Sequence, residues 1–403
     1  MKILVLNSGS SSLKSSLYIL KNHDQKAVSP IWEAGLQWKG TFEDVSLDVK
    51  NDQGKKYSAK LKVKSLDEAR SLLMNCLIQG ETAVLSSLDE VDAIGHRIVH
   101  GGKYYRESVR IDSTVKSHIA ELAEYAPLHN QAALKGIEAM EKMFKGLPQI
   151  AVFDTAFHHS LPLEATIYPG PYKWFEEGIQ RYGFHGISYQ YCSRRAQEMV
   201  SKEFSTSKMV ICHLGAGASL CAVKNGKSLD TTMGFTPLEG LMMNTRCGTI
   251  DPGILLERLK HIDLHTLSNE LYRESGLLGV SGISSDMREI FKAIQEKNPR
   301  AQLAYDVYIH RLCSCIGSMI ASLEGLDVLV FTAGIGENTP LLRQRVCERL
   351  AFLDLKIDTK KNENAPREDC DIAQKNSRIR VLIIHTQEAF EIARECWRIL
   401  KGS

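Results

Sequence analysis

The sequence has no excess of charge of either sign. Lys+Arg number 50 and Asp+Glu 48 in 403 residues, a net of +2. No bulk field therefore points to nucleic acid or to a membrane surface, and any anion must be bound by local groups. No apolar run is long enough to span a bilayer. The amino terminus leads straight into a strand-like run, not into a charged-then-apolar leader with a cleavage site. The 10 cysteines are scattered and no Cys-x-x-Cys occurs. Their one tight pair, Cys313-Ser314-Cys315, falls in a helix-like stretch. A disulfide scaffold and a zinc site are not expected, and a reducing cytoplasm is. A Walker loop is also missing, since no Gly-Lys-Ser/Thr follows a longer Gly-rich span.

What remains is ordinary in bulk and specific in detail. Hydrophobic residues at 43% and charged residues at 24% describe a globular chain. Its length predicts two domains. Lys2 to Leu6 reads as a buried strand, and Asn7-Ser8-Gly9-Ser10-Ser11-Ser12-Leu13-Lys14 as a tight polar turn. Ser15 to Leu20 returns as a second strand. Backbone N–H groups and hydroxyls can converge on an anion in such a turn, and Lys14 adds a point charge. A Ser-rich hairpin with no ligand fits the same residues. The plan recurs at Lys208 to His213, Leu214-Gly215-Ala216-Gly217-Ala218-Ser219 and Leu220 to Val223. Setting Ser12-Leu13 over Ser219-Leu220 suggests one repeated unit with two phosphate-facing hairpins.

Between these hairpins, Leu66 to Leu85 reads as a helix, and Val91 to Val99 as a strand running into His100-Gly101-Gly102. Asn130 is expected to cap a helix reaching about Phe144. Gln149 to Phe153 is a strand that delivers Asp154 at its carboxyl end, where α/β sheets place chemistry; an ordinary turn cap is the alternative. Ser188 is expected to cap a helix reaching about Phe204. His185 either faces a cleft or is a hydrogen-bonded structural histidine. Arg246 sits on irregular backbone. Ala301 to Leu323 is the longest helical run. Val328 to Phe331 is a strand ending in a glycine turn, and Lys360 to Lys375 reads as exposed. A last strand, Val381 to Ile384, precedes a last helix, Glu388 to Ile399.

Five segments together resemble the acetate kinase family, within the acetate and sugar kinase, heat-shock chaperone and actin superfamily. They are Asn7 to Lys14, Gly95 to Gly102, Val152 to His158, Gly234 to Arg246 and Phe331 to Asn338. The resemblance implies two α/β domains of the ribonuclease-H-like, actin-like ATPase class with a cleft between them. The first would span 1–154, joined by a last helix at about 386–403, and the second 155–385. It implies reversible transfer of the γ-phosphoryl of ATP to acetate, giving acetyl phosphate and ADP, with Mg²⁺ (or Mn²⁺), in a homodimer.

By the family pattern, Asn7 and Glu388 are the magnesium-linked positions. Lys14, Ser10 and Ser12 lie at the nucleotide phosphates and Arg97 at the substrate. Asp154 is the catalytic carboxylate, and His185 and Arg246 stabilise the transition state. His213, Leu214, Gly215, Ala216 and Gly217 hold the nucleotide, as do Asp286, Met287 and Arg288 and the segment Gly334, Ile335, Gly336, Glu337 and Asn338. Val99, Leu128, Phe184 and Pro237 form the apolar acceptor pocket. Ala216 stands where the family usually has Asn, and Gln131 where it has Pro.

The chemistry agrees with these roles. A carboxylate acceptor is already ionised, so cations are needed more than a strong base, and guanidinium matches both carboxylate and phosphate. A propionate or butyrate kinase on the same fold is the nearest alternative. A non-enzymatic actin-like nucleotide switch is more distant.

Overall fold

A computed structural model describes residues 1–9, 12–23, 25–39, 41–124, 127–200 and 208–402. The chain divides into two compact units, Met1–Ala156 with Gln387–Ser403 and Phe157–Thr386.

In the first unit the strands are β1 Lys2–Ser8, β2 Ser12–Ile19, β3 Trp32–Lys39, β4 Thr41–Asn51, β5 Lys56–Leu61, β6 Ala93–Ile98, β7 Val109–Arg110 and β8 Gln149–Phe153. They form one sheet in the order β5-β4-β3-β2-β1-β6-β8-β7. β1, β6 and β8 run parallel, and β1 to β5 continue as an antiparallel meander. β1 is buried along Ile3, Leu4, Val5 and Leu6, as a central strand covered on both faces must be. One apolar cluster joins Leu4, Leu17, Trp32 and Leu47 to Leu73 and Met140 from the helices and to Leu77 in the turn after the first of them. Another joins Ile98 and Phe153 to Val115, Ile119 and Ile137.

The helix Glu388–Lys401 packs on β1 and β6. Its first turn carries Glu388 and Glu391 and its last turn Arg398 and Lys401, the arrangement a helix dipole favours. Gly95 in β6 allows the close approach. A Cβ there would lie 2.6 Å from both Cys396 Sγ and Ile392 Cγ2.

In the second unit the strands are β9 Lys208–Leu214, β10 Ala218–Lys224, β11 Lys227–Thr231, β12 Val328–Thr332, β13 Cys370–Asp371 and β14 Arg380–Ile383, ordered β11-β10-β9-β12-β14-β13. Again three parallel strands, β9, β12 and β14, sit beside an antiparallel hairpin. The helix Pro299–Leu323 is capped by Asn298, starts on Pro299 and ends where Glu324 turns left-handed at φ 57°. Ala304, Tyr308, Leu312, Ile316, Met319 and Leu323 form its buried stripe at helical spacing.

Several expectations shift. The helix begun at Leu66 stops at Asn75. Beyond it the N–H groups of Leu77 and Ile78 turn to carbonyls three residues back, and Gly80 follows at φ 84°. Asn130 is not a cap. It lies inside the helix Pro127–Met143, where its amide accepts from the His100 N–H at 3.2 Å and donates to the His100 carbonyl at 3.1 Å. The helix expected to start at Ser188 begins at Gly186 behind a left-handed His185, and it ends at Met199. Phe204, its expected end, lies outside the described residues. Lys360 to Lys375 is not uniformly exposed, because Asn362 is fully buried.

Candidate active site

In the first unit three segments bring charged and polar groups to one end of the parallel strands. Arg97 from β6 and Asp154, just past β8, pair through Nη2 to Oδ2 at 2.5 Å and Nε to Oδ1 at 3.3 Å. Asp154 is 1% exposed. Asn7 near the end of β1 accepts from Arg97 Nη1 at 3.4 Å. Burial works against the charged guanidinium, but the carboxylates of Asp154 and Glu388 outweigh it and hold the Arg97 pKa above its ordinary value. Four family positions, Asn7, Arg97, Asp154 and Glu388, thus share one electrostatic neighbourhood.

The adjoining His100-Gly101-Gly102 turn is fixed from both sides. Asn130 clamps His100, and the Gly101 N–H donates to Thr155 Oγ1 at 3.0 Å. Val99 is buried at the start of this turn. Lys14 is exposed in β2 opposite Asn7, and the Gly9 N–H closes the turn on the Ser12 carbonyl at 2.7 Å. Ser10 lies outside the described residues. Leu128 falls in the helix Pro127–Met143.

In the second unit the hairpin β9–β10 turns through Gly215-Ala216-Gly217, with the Gly215 N–H bonded to the Gly217 carbonyl at 3.1 Å. His185 and Arg246 come together here. A Cβ added to Gly217 would sit 3.4 Å from His185 Nε2 and 3.5 Å from Arg246 Nη1. A bare glycine is what lets the imidazole and the guanidinium border the same backbone. His185 is held at φ 58°, a conformation that β-carbon sterics disfavour. Its Nδ1 bonds Ser219 Oγ at 2.8 Å, and its ring stacks on His213 at 4.0 Å. Arg246 Nη1 donates to the Pro237 carbonyl at 3.1 Å. Among the described residues no carboxylate pairs with Arg246, and burial pulls its pKa below the ordinary arginine value.

Three further groups shape this half and were not singled out from the sequence. His158 bridges Ser228 Oγ at 2.8 Å and the Phe184 carbonyl at 3.0 Å, fixing buried Phe184. Arg181 spans Glu239 Oε1 at 2.8 Å and the Thr231 carbonyl at 3.0 Å, tying down the segment that carries Pro237. Arg343 is fully buried, and its fork reaches Asn362 Oδ1, Gly336 O and Glu337 O, each at 2.8 Å, and Asn362 O at 3.1 Å. Burial lowers its pKa to about 10, so it stays charged at neutral pH. No spacing or motif marks these groups; His158 at least lies in a quoted segment.

The segment expected to be a glycine turn after β12 is a short helix, Ala333–Asn338, entered through Ala333 at φ 64°. Glu337 is turned to the protein backbone: its Oε1 accepts from the Ala333 N–H at 2.8 Å and the Thr386 N–H at 3.2 Å. Asn338 Nδ2 donates to the Gly334 carbonyl at 2.9 Å. Asp286 caps the helix Met287–Gln295 and pairs with exposed Arg288, while Met287 is buried.

A model of the acetokinase family matches residues 2–394. An acetate kinase of Nostoc punctiforme is 51% identical over 406 residues, covering 100% of both chains. The crystal structure of Porphyromonas gingivalis acetate kinase superposes with a TM-score of 0.91 at 38% identity over 99% of each chain. A propionate kinase from Francisella tularensis reaches a TM-score of 0.88 at 36% identity over 98% of each. The two α/β units are thus of the actin-like ATPase class. Among the described residues no helix is long and apolar enough to cross a membrane.

Proposed function

The chain belongs to the acetokinase family, and we propose that it transfers the γ-phosphoryl group of ATP to acetate and runs the reverse reaction from acetyl phosphate and ADP. One observation carries the reading: His185 and Arg246, the latter with no carboxylate against it among the described residues, border the bare backbone of Gly217. Phosphoryl transfer spreads charge over equatorial oxygens, and preset donors and cations are what stabilise it.

In this reading Arg246 and His185 meet the transferring group and Arg97 clamps the acceptor carboxylate. Asp154 orients Arg97 and the acceptor. Lys14 with Ser10 and Ser12, the turn His213 to Gly217, and the segments Asp286 to Arg288 and Gly334 to Asn338 hold the nucleotide. Glu337 serves it indirectly, by fixing backbone. Ala216 keeps its N–H for this purpose and gives up a side-chain contact.

Asn7 and Glu388 would hold Mg²⁺, for which Mn²⁺ can substitute. Their oxygens suit a hard cation that takes only one or two protein groups beside water and phosphate. When bound, the ion neutralises charge on the phosphate oxygens.

By the family pattern, the acceptor's methyl group is assigned to Val99, Leu128, Phe184 and Pro237. An extra methylene changes binding by only about 1–3 kcal/mol, so propionate is a poorer but real substrate. The likeness to a propionate kinase makes that acid the second reading. Incubation with acetate, ATP and Mg²⁺ and capture of the acyl phosphate with hydroxylamine is the test; no product in either direction refutes the proposal. A kcat/KM maximum at three or four carbons selects the second reading. Arg97→Ala abolishes carboxylate transfer while nucleotide binding survives.

We also propose a cytoplasmic homodimer. Ile254, Leu256, Leu259 and Leu264 leave apolar area exposed on the second unit, suited to a second copy. Sedimentation at working concentration gives a dimer, and a monomer overturns this.

A further inference from the structure

Two buried hydroxyls stand behind His185. Ser219 Oγ lies 2.8 Å from His185 Nδ1 and 2.5 Å from the Tyr189 hydroxyl. Tyr189 and Ser219 are both fully buried. The Tyr189 hydroxyl has no second hydrogen-bond partner among the described residues. A count of hydrogens then fixes the direction of the chain. If Ser219 donated to Tyr189, the phenolic O–H would have nowhere to go, and folded proteins rarely strand a buried donor. If Tyr189 donates to Ser219, Ser219 is left to donate to Nδ1, and every hydrogen is used. Nδ1 must then be an acceptor, so the ring proton sits on Nε2, the nitrogen that borders Gly217, as Arg246 Nη1 does.

We propose that Tyr189 and Ser219 are positioning residues that hold His185 as the neutral imidazole with its proton on Nε2, ready to donate to the transferring phosphoryl group. The proposal rests on the role given to His185 above. The same chain opposes the imidazolium. A proton on Nδ1 would turn Ser219 around and strand the Tyr189 O–H. The Arg246 cation acts the same way, since it borders the same glycine as Nε2, while the His213 ring stacks on the face of His185. Burial keeps the Tyr189 phenol protonated, its pKa well above the ordinary value, so it remains a donor across the working range.

The test is nitrogen NMR on the full chain carrying ¹⁵N-labelled histidine, with His185→Gln to identify the His185 signals. The expected wild-type spectrum at pH 7 is a neutral ring protonated on Nε2. In Tyr189→Phe, Ser219 is free to turn. The His185 titration midpoint then rises by about one pH unit, or the Nδ1-protonated form becomes visible, and kcat falls about tenfold with acetate KM unchanged. Ser219→Ala removes the donor to Nδ1, so the Nδ1-protonated form becomes visible, and Ser219→Thr, which keeps the hydroxyl, restores the wild-type spectrum. A wild-type His185 protonated on Nδ1, or charged at pH 7, overturns the proposal, as does an unchanged spectrum in Tyr189→Phe. Should that variant not fold, an unchanged spectrum in Ser219→Ala does the same. The spectra need no turnover, so a chain that shows this tautomer yet fails to phosphorylate acetate refutes the proposed activity and leaves the hydroxyl chain standing.

Discussion

Replacing Arg343 by methionine keeps most of the side chain's volume and removes every donor. Four acceptors lose their partner: the carbonyls of Gly336, Glu337 and Asn362, and Asn362 Oδ1. A hydrogen bond to a charged donor contributes about 1.5–3 kcal/mol, so the four together are worth roughly 6–12. Against this, the variant no longer desolvates a guanidinium with no carboxylate beside it among the described residues, a penalty of several kcal/mol. The difference is a loss of about 3 kcal/mol. For a unit of the size of Phe157–Thr386 this lowers Tm by about 6–12 °C. Differential scanning calorimetry reads it directly. Because Gly336 and Glu337 are loosened, KM for ATP rises more than KM for acetate. Arg343→Lys, which keeps the charge and loses the fork, falls between. A Tm within about 2 °C of wild type would refute the reasoning, since it would mean that the acceptors find other partners at no cost.

Gly95→Ala drives a methyl group into Cys396 and Ile392 and destabilises the first unit by about 1–3 kcal/mol, measurable by urea unfolding. Arg246→Ala lowers kcat by about 10²–10³-fold in the acyl phosphate assay, with a smaller change in acetate KM. Burial lowers the pKa of His96 and of His158 to about 4. Both are neutral in the fold, and the unfolded chain binds the extra protons between pH 4 and 6.5. Stability is therefore present above pH 6.5 and falls as the pH drops toward 4, by about 3 kcal/mol per histidine. Denaturant midpoints that stay level over that window would contradict it.

The sequence made legible those parts of the candidate site that depend on local chemistry. Asn7, Arg97 and Asp154 stand at or near the ends of apolar runs, and the parallel strands carry such positions to one edge of a sheet. Gly217 is readable as a tight turn. What was hidden depends on contacts remote in the chain. Asn130 looks like a cap because its side chain suits one, yet His100, 30 residues away, claims both its amide atoms. Asn362 sits in a polar stretch and is buried because Arg343 needs its carbonyls. Glu337 has the setting of a ligand residue, but Thr386 and Ala333 draw it to the backbone. Periodicity cannot report such pairings, since nothing in the spacing of one partner depends on the other.

The helix Glu388–Lys401 covers a sheet whose first strand begins at Lys2. During synthesis the rest of that unit, through Ala156, is complete 245 residues before Lys401 is added. At about 5–20 residues per second this is a wait of roughly 12–50 s. Throughout it the parallel strands β1 and β6 have one face without its permanent cover, and Phe157–Thr386 is itself completed only near the end. Nascent chains stalled before Glu388 are therefore the ones that chaperones must hold.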